Sequence, residues 1–205
     1  MRRDIEVFLQ FVPTSEGGRS TPVWTGYRAQ VHYANGDWDA MHEYPDDERV
    51  LPGQRVRAFL HFLSPAEHLG KVVPGLDFEI REGSRVVAHG RVERLVDLRE
   101  SAIRARLHDA LEEYYLKLGS SASDETNSVA SDLYRLHLRQ ARKLRDVLAS
   151  DAPLVTFEGE LIQEQRCFGR SSLPGEAGDA VKAAFNAIVR LFDTLTVAGD
   201  RSNEH

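Results

Sequence analysis

The sequence DIEVFLQF at residues 4–11 decides how the first half of the chain folds. Apolar residues occupy every second position from Ile5 to Phe11, and Glu6 and Gln10 stand between them. A period of two is typical of a strand that turns one face to a core and the other to water. We therefore predict a half-buried β-strand at the start of the chain.

Clusters of turn-forming residues recur in the sequence that follows this strand. They are Glu16-Gly17-Gly18, Asn35-Gly36-Asp37, Pro45-Asp46-Asp47, Pro52-Gly53, Pro74-Gly75 and Glu82-Gly83-Ser84. The segments between them that are rich in Val, Phe, Tyr and Leu are 27–33, 55–63, 76–81 and 85–96. Several short strands at this spacing favour a small antiparallel barrel or sandwich.

The period changes to a helical one from Asp97 onward. Asp97 with Glu100 three residues later has the form of a capping box. Apolar residues then recur at steps of three or four up to Leu118, and Gly119 stands where a helix commonly ends. We predict a first helix that ends there and a polar linker over residues 120–126.

Two further helices are predicted over about residues 127–149 and 179–198, each with one apolar stripe. Residues 154–168 are ambiguous, because their pattern fits either a strand broken by Gly159 or a helical turn. The stripes must be buried, either in a bundle of their own or against the first half. We expect residues 199–205 to be a frayed tail.

Composition limits the functions open to this 205-residue chain. No apolar stretch reaches the roughly 18 residues of a membrane span, and the N-terminus lacks the features of a signal peptide. The single cysteine, Cys167, excludes an internal disulfide and a cysteine zinc site. A net charge of −6 argues against tight, sequence-independent nucleic-acid binding. We expect a cytoplasmic protein with no membrane partner.

Three sequence blocks of the first half occur together in the order found in a known barrel domain. They are GGRSTP at residues 17–22 with GYRAQ at 26–30, LPG at 51–53 before an apolar segment, and GLDFEIREGSRVV at 75–87. The corresponding blocks of that domain read GGRHTP with GYRPQ, MPG, and GLRFAIREGGRTV. Residues 4–97 thus resemble the C-terminal (third) domain of bacterial elongation factor Tu. The helical half carries no such resemblance.

The resemblance implies a fold and a type of activity. It implies a six-stranded antiparallel β-barrel, which we place at residues 1–97. Together with the helical period of the second half, this gives an α+β chain in which a helical extension of three main helices follows at 98–198. In the family this barrel catalyses no reaction. It contacts the T-stem backbone of aminoacyl-tRNA, the nucleotide domain and the exchange factor. The sequence has neither a GxxxxGK[ST] phosphate loop nor an NKxD motif. We therefore expect no nucleotide, no other cofactor and no enzymatic activity.

The family's tRNA-contacting positions are partly kept in this chain. The matching residues are Arg19, Gln30, Arg81, Glu82 and Gly83. The same residues also have a purely structural interpretation, in which the glycine serves a turn and the arginines pair with acids inside the barrel.

Other family positions are changed in ways that weaken the RNA interpretation. Ser20 replaces a histidine, Ala34 replaces an arginine, and Asp39 introduces an acid. A carboxylate that faces a phosphate at a few ångströms costs about 1–4 kcal/mol at an effective dielectric near 20.

Two more features are candidate partner-binding elements. Trp38, in what we interpret as a loop beside Asp39, has the character of a protein-interface anchor. Arg135, Arg139 and Arg142 share one helix face and suit phosphates or an acidic partner. The plainer interpretation of these arginines is a solvated face, or pairing with acids of the preceding helix.

The remaining candidates are assigned to structure. Trp24 is expected in the core. Five histidines of the first half lack the spacing of a metal site and are expected on half-exposed strand positions; they are His32, His42, His61, His68 and His89.

The function favoured by the sequence is that of a non-catalytic, translation-associated binding protein whose partner is tRNA or a translation factor. The alternative is a general protein-interaction or scaffold module with no nucleic-acid role.

Overall fold

A computed structural model describes residues 2–124, 128–170, 173 and 175–200. The chain divides into two compact units, Met1–Ala102 and Ile103–His205. The first unit holds a closed six-stranded antiparallel barrel, and four helices follow it in the described part of the chain. The predicted α+β fold with an N-terminal barrel is confirmed.

The barrel closes because its first strand pairs on both sides. The strands are β1 (Ile5–Phe11), β2 (Arg28–Tyr33), β3 (Gly36–Glu43), β4 (Arg55–Phe62), β5 (Asp77–Glu82) and β6 (Arg85–Leu95). Their order around the barrel is β1-β4-β3-β2-β5-β6, and β6 pairs again with β1. Closure leaves no unpaired sheet edge, which removes a route to aggregation.

The alternation in β1 places its apolar side chains inside the barrel, as the sequence predicts. Ile5, Val7, Leu9 and Phe11 are each at most 1% exposed. Burying a side chain of this size contributes about 1.5–3 kcal/mol. The four together make β1 a central part of the barrel core.

The segment that we interpreted as a loop around Trp38 is strand β3, so that prediction was wrong. The hairpin turn lies at Ala34 and Asn35, whose φ angles are 49° and 61°. Two positive φ angles in a two-residue loop match the right-handed twist of the flanking strands. The turn therefore ends before Gly36, and the chain is already extended at Trp38.

Three of the five barrel histidines are buried, contrary to the half-exposed positions that we expected. His42, His61 and His68 are at most 5% exposed. The Tyr33 hydroxyl lies 2.5 Å from His68 Nδ1, and the Tyr44 hydroxyl lies 3.1 Å from His42 Nδ1. These hydroxyl contacts satisfy His42 and His68, whereas His61 Nδ1 contacts the Arg2 carbonyl.

The four helices are α1 (Leu98–Asp124), α2 (Ser128–Ala149), α3 (Leu154–Arg170) and α4 (Gly175–Asp200). The second unit has its own apolar core, which includes Tyr114, Phe157, Phe185 and Ile188. The predicted bundling of the apolar stripes therefore occurs. Within the described ranges, no helix combines the length and apolar character needed to cross a membrane.

The first helix does not end at Gly119, contrary to our prediction. Gly119 has no positive φ, and the hydroxyls of Ser121 and Ser123 donate to the carbonyls four residues earlier, at 2.9 Å each. A glycine costs a helix only about 1 kcal/mol, so it ends the helix only when its conformation changes. Of the predicted linker, residues 120–124 are helical and 125–126 lie outside the described residues.

Residues 154–168 form a helix rather than a strand, which gives four helices instead of the predicted three. Phe157, Leu161 and Glu164 are buried at spacings of four and three, so the helical period decides the conformation. Gly159 lies between them with open space around it.

At the C-terminus, α4 includes Gly199 and Asp200, so the predicted frayed tail is wrong there; residues 201–205 lie outside the described residues.

Two glycine substitutions should have opposite effects on stability. A Cβ at Gly90 would lie within 3.0 Å of the Phe78 ring and a Leu9 methyl, whereas a Cβ at Gly119 would meet nothing within 4 Å. We expect Gly90→Ala to lower the free energy of unfolding of the barrel by about 1–3 kcal/mol, through overpacking. We expect Gly119→Ala to raise the free energy of unfolding of the helical unit by up to about 1 kcal/mol, because alanine has the higher helix propensity.

Urea unfolding checks this pair. Tryptophan fluorescence follows the barrel, since Trp24 and Trp38 both lie there, and circular dichroism at 222 nm follows the helices. Equal effects of the two alanines would contradict the packing described for Gly90.

Acid should destabilise the barrel through its buried histidines. Burial lowers the pKa of His42 to about 3 and that of His68 to about 4, from about 6.5 in the unfolded chain. The unfolded state then binds more protons, so stability falls as the pH drops below about 6.5 and levels off only near the folded values. We expect a loss of about 1.4 kcal/mol per pH unit per histidine.

Fluorescence-monitored urea unfolding at several pH values between 7.5 and 5 measures this loss. His68→Gln should reduce the slope, and His89→Gln, at an exposed position, is the matched control. A wild-type free energy that stays flat over this range would contradict the prediction.

Candidate functional site

A surface groove on the barrel gathers most of the residues singled out in the first half. It has a volume of about 410 Å³ and lies on the outer face of β2, β3 and β5. Its lining residues are Arg28, Ala29, Gln30, Asp39, Leu63, Arg81, Glu82 and Gly83. We call it the β2 groove. Four of the five positions matched to the family's contacts line it, together with the altered position Asp39.

The strand register explains how these residues come together. Gln30 of β2 stands opposite Asp39 of β3 on one side and opposite Arg81 of β5 on the other. Side chains of residues directly opposite each other in neighbouring strands point to the same face. The three therefore form one row across three strands, although they are far apart in sequence.

Arg19 does not line the groove but is held at its end by Glu82. Its guanidinium pairs with Glu82 Oε1, which also accepts a 2.9 Å hydrogen bond from the Tyr27 hydroxyl. Glu82 Oε2 accepts a 2.5 Å hydrogen bond from Arg85. Burial raises the pKa of the Tyr27 hydroxyl, against the opposing charges of Arg19 and Arg85, so Tyr27 remains a donor at neutral pH.

The groove arginines fall into two groups. Arg81 is committed to Glu79, with its Nε and Nη2 at 2.8 and 2.5 Å from one carboxylate oxygen. Arg28 is exposed and makes no ion pair with any residue that the structure describes. The exposed carboxylate of Asp39 is likewise free of an ion pair within the described ranges.

Positive and negative charges are balanced on this face. The arginines at or beside the groove are Arg19, Arg28, Arg81 and Arg85, and the acids are Asp37, Asp39, Glu79 and Glu82. Phosphate backbones are bound chiefly by unneutralised Lys and Arg. The arrangement offers hydrogen-bond donors and acceptors in alternation rather than a positive field.

Gly83 has a backbone reason to be glycine. Its φ is +61° in the tight turn between β5 and β6, and a Cβ would meet no atom within 4 Å. A left-handed conformation disfavours other residues whatever the free space. Gly83 thus shapes one end of the groove through its backbone.

The two tryptophans differ from the sequence-based expectation, since Trp38 packs partly inward and Trp24 is exposed. Trp38 is half-buried and points away from neighbouring Asp39, with its ring 5.0 Å from His68 and 5.5 Å from the Lys71 ammonium. Trp24, expected in the core, is 53% exposed. It lines a second depression of about 340 Å³ together with Arg19 and Tyr27, both of which contact Glu82 of the groove. A partner contact of Trp38 stays a prediction.

The arginine stripe on α2 belongs to the second unit. Arg135 pairs with Asp132 at 3.3 Å, Arg142 lies 3.3 Å from the Tyr115 hydroxyl, and Arg139 is exposed. Their neighbours on α2 are paired across helices, Lys143 with Glu160 at 2.8 Å and Arg145 with Glu112 at 2.7 Å. Among the described residues, an acid of the preceding helix is thus paired with the neighbouring Arg145 and not with an arginine of the stripe. Partner binding by the stripe itself stays a prediction.

A buried polar group joins three helices of the second unit and was missed in the sequence. One oxygen of Glu164 accepts a hydrogen bond from the Tyr114 hydroxyl and lies 2.8 Å from His137 Nδ1. All three side chains have essentially no exposed surface. Burial and the Glu164 carboxylate raise the pKa of Tyr114. The available signal was His137, which falls on the apolar face of α2.

The side chains that the structure describes form no cluster suited to a metal ion. Within residues 2–124, 128–170, 173 and 175–200, no three His, Cys, Asp or Glu side chains are grouped to hold a metal ion. No protein-family model matches the chain.

Removing Glu164 should strongly destabilise the helical unit. Glu164→Ala leaves Tyr114 and His137 buried without their partner, and loss of one member of a buried pair costs about 3–5 kcal/mol. Glu164→Gln keeps an acceptor oxygen and should cost less, about 1–3 kcal/mol. Urea unfolding followed at 222 nm measures both, and similar losses in the two variants would contradict this role of the carboxylate.

Proposed function

We propose that this protein is a non-catalytic binding protein, and that the β2 groove with the Trp24 depression binds a protein partner. The observation that carries the proposal is the charge balance of the groove. Its arginines are matched in number by carboxylates, and the two groups without an ion pair among the described residues, Arg28 and Asp39, have opposite charge. A surface of this kind suits a partner with its own alternating charges.

The exposed ring of Trp24 supports a protein partner. Tryptophan and arginine are the residues most enriched among energetically dominant interface contacts. Trp24 and Arg19 line the same depression, and Arg19 reaches Glu82 of the groove. The depression and the groove are thus linked by one ion pair into a candidate interface with an aromatic anchor.

The partner class that we propose is a translation factor. This part rests on the resemblance of residues 4–97 to the elongation factor Tu barrel, in which the matching surface meets components of translation. The residues that match the family at this surface are Arg19, Gln30, Arg81, Glu82 and Gly83, and they support this part of the proposal.

Transfer RNA is the second candidate for the same surface, because those kept positions match the family's tRNA contacts. Asp39 and the paired state of Arg19 and Arg81 speak against it, since phosphate binding needs uncompensated positive charge. The two candidates predict different responses to charge reversal.

The test uses Arg28→Glu and Asp39→Lys in the full-length chain. Both residues are exposed and free of ion pairs within the described ranges, so neither change should disturb the barrel. Arg49→Glu and Glu48→Lys, at exposed positions that do not line the groove, are the matched controls. Each variant is immobilised and used for capture from two portions of an extract of the source cells, one untreated and one treated with nuclease. Recovered tRNA and translation factors are quantified, and the translation factors are then purified for affinity measurement.

A protein that fits the mixed charge of the groove should lose affinity in both groove variants, by about tenfold each. The controls should bind it as the wild type does. Opposite effects, with Arg28→Glu weakening and Asp39→Lys strengthening binding, together with loss of capture after nuclease treatment, would favour tRNA. Equal capture by all variants would overturn the groove as the binding surface.

A further inference from the structure

A second, smaller pocket lies in the barrel unit where the start of β1 meets the end of β4. Its volume is about 240 Å³, and Arg2, Asp4, Met41, Phe62, Leu63 and Ser101 are among its lining residues. We call it the Asp4 pocket. Pockets for drug-sized ligands begin at about 300 Å³, so this one suits a smaller molecule.

Asp4 brings an unsatisfied carboxylate oxygen to the pocket. The residue is 2% exposed, and its Oδ2 accepts a 2.7 Å hydrogen bond from the Phe62 amide. Its Oδ1 is buried and accepts no hydrogen bond from any group that the structure describes. Burial raises the pKa of Asp4, although the nearby Ser101 hydroxyl and the Phe62 amide favour the ionised carboxylate. A buried acceptor without a partner lowers the stability of the fold. A ligand that donates a hydrogen bond to Oδ1 removes this cost.

Arg2 brings the complementary group, an unsatisfied donor. Its Nη1 pairs with Glu100 at 3.0 Å. Its Nη2 is buried and, within the described part of the chain, has no hydrogen-bond acceptor. Two residues that line the pocket thus carry a buried acceptor and a buried donor that are both unused within the described part of the chain.

Apolar side chains complete the wall of the pocket. Met41 and Phe62 line it from β3 and β4, and Leu63 follows at the end of β4 with 56% of its surface exposed. Arg28 and His61 also line the pocket, so it has a polar side and an apolar side. The pocket suits a ligand that has two charged groups and an apolar part.

We propose that the Asp4 pocket binds a free α-amino acid with an apolar side chain. The ammonium group donates to Asp4 Oδ1, the carboxylate accepts from Arg2 Nη2, and the side chain lies against Met41, Phe62 and Leu63. Arginine is well suited to a carboxylate because its planar guanidinium offers donors in a fixed geometry. The Asp4 pocket shares Arg28 and Leu63 with the β2 groove, but Asp4 and Arg2, which bind the two charged groups of the amino acid, do not line the groove.

The experiment is a titration of the ¹⁵N-labelled full-length protein with L-leucine at millimolar concentrations. Chemical shifts of the backbone amides report where the ligand binds without any mutation. We expect saturable shifts at Phe62, Leu63 and Ser101, and none at Val87, which does not line the pocket. N-acetyl-L-leucine lacks the ammonium group and L-leucinamide lacks the carboxylate. Each should bind at least about tenfold more weakly, since a hydrogen bond to a charged group contributes that much.

Two variants test the assignment of the arginine. Arg2→Gln should weaken leucine binding at least about tenfold. Arg3→Gln changes the neighbouring residue, which pairs with Glu43 and does not line the pocket, and should leave the affinity unchanged. The absence of saturable shifts would overturn the proposal. So would equal binding of leucine and its two analogues, which marks an apolar crevice only, or unchanged affinity in Arg2→Gln.

Discussion

The pairing of β1 with both β4 and β6 is the constraint on which the barrel depends. Asp4, just before β1, contributes to both seams: its carboxylate accepts the Phe62 amide at the end of β4, and its carbonyl accepts the amides of Val96 and Leu98 after β6. One residue thus fixes where the barrel closes and where α1 begins. The same geometry leaves Asp4 Oδ1 buried beside a pocket, so the closure of the fold and the proposed ligand site share a side chain.

Ion pairing sets the character of the outer face more than it sets stability. Exposed pairs such as Arg91 with Asp77, at 2.7 Å, contribute about 0–1 kcal/mol each. Their larger effect is on the electrostatic field, because each pair cancels a charge that a phosphate would otherwise meet. In the β2 groove this leaves only Arg28 and Asp39 unpaired among the described residues, and their opposite signs favour a partner of mixed charge over a polyanion.

The sequence predicted those features that depend on local periodicity. Alternation in β1 identified a half-buried strand, and the apolar stripes identified helices that bundle. It failed where tertiary contacts decide: the burial of His42 and His68 depends on tyrosines elsewhere in the barrel, and Gly119 continues a helix that packing holds together. For the site, motif positions located the groove residues. The sequence did not reveal that Glu79 neutralises Arg81, because that depends on geometry.

We propose that the barrel recognises a protein and not the phosphate backbone of tRNA. The decisive measurement is fluorescence anisotropy of labelled tRNA, charged and uncharged, titrated with the full-length protein at two salt concentrations. We expect no saturable binding even at low salt, where electrostatic attraction is strongest. Saturable binding that prefers charged tRNA and weakens with salt would contradict it, since counterion release on phosphate contact produces that dependence.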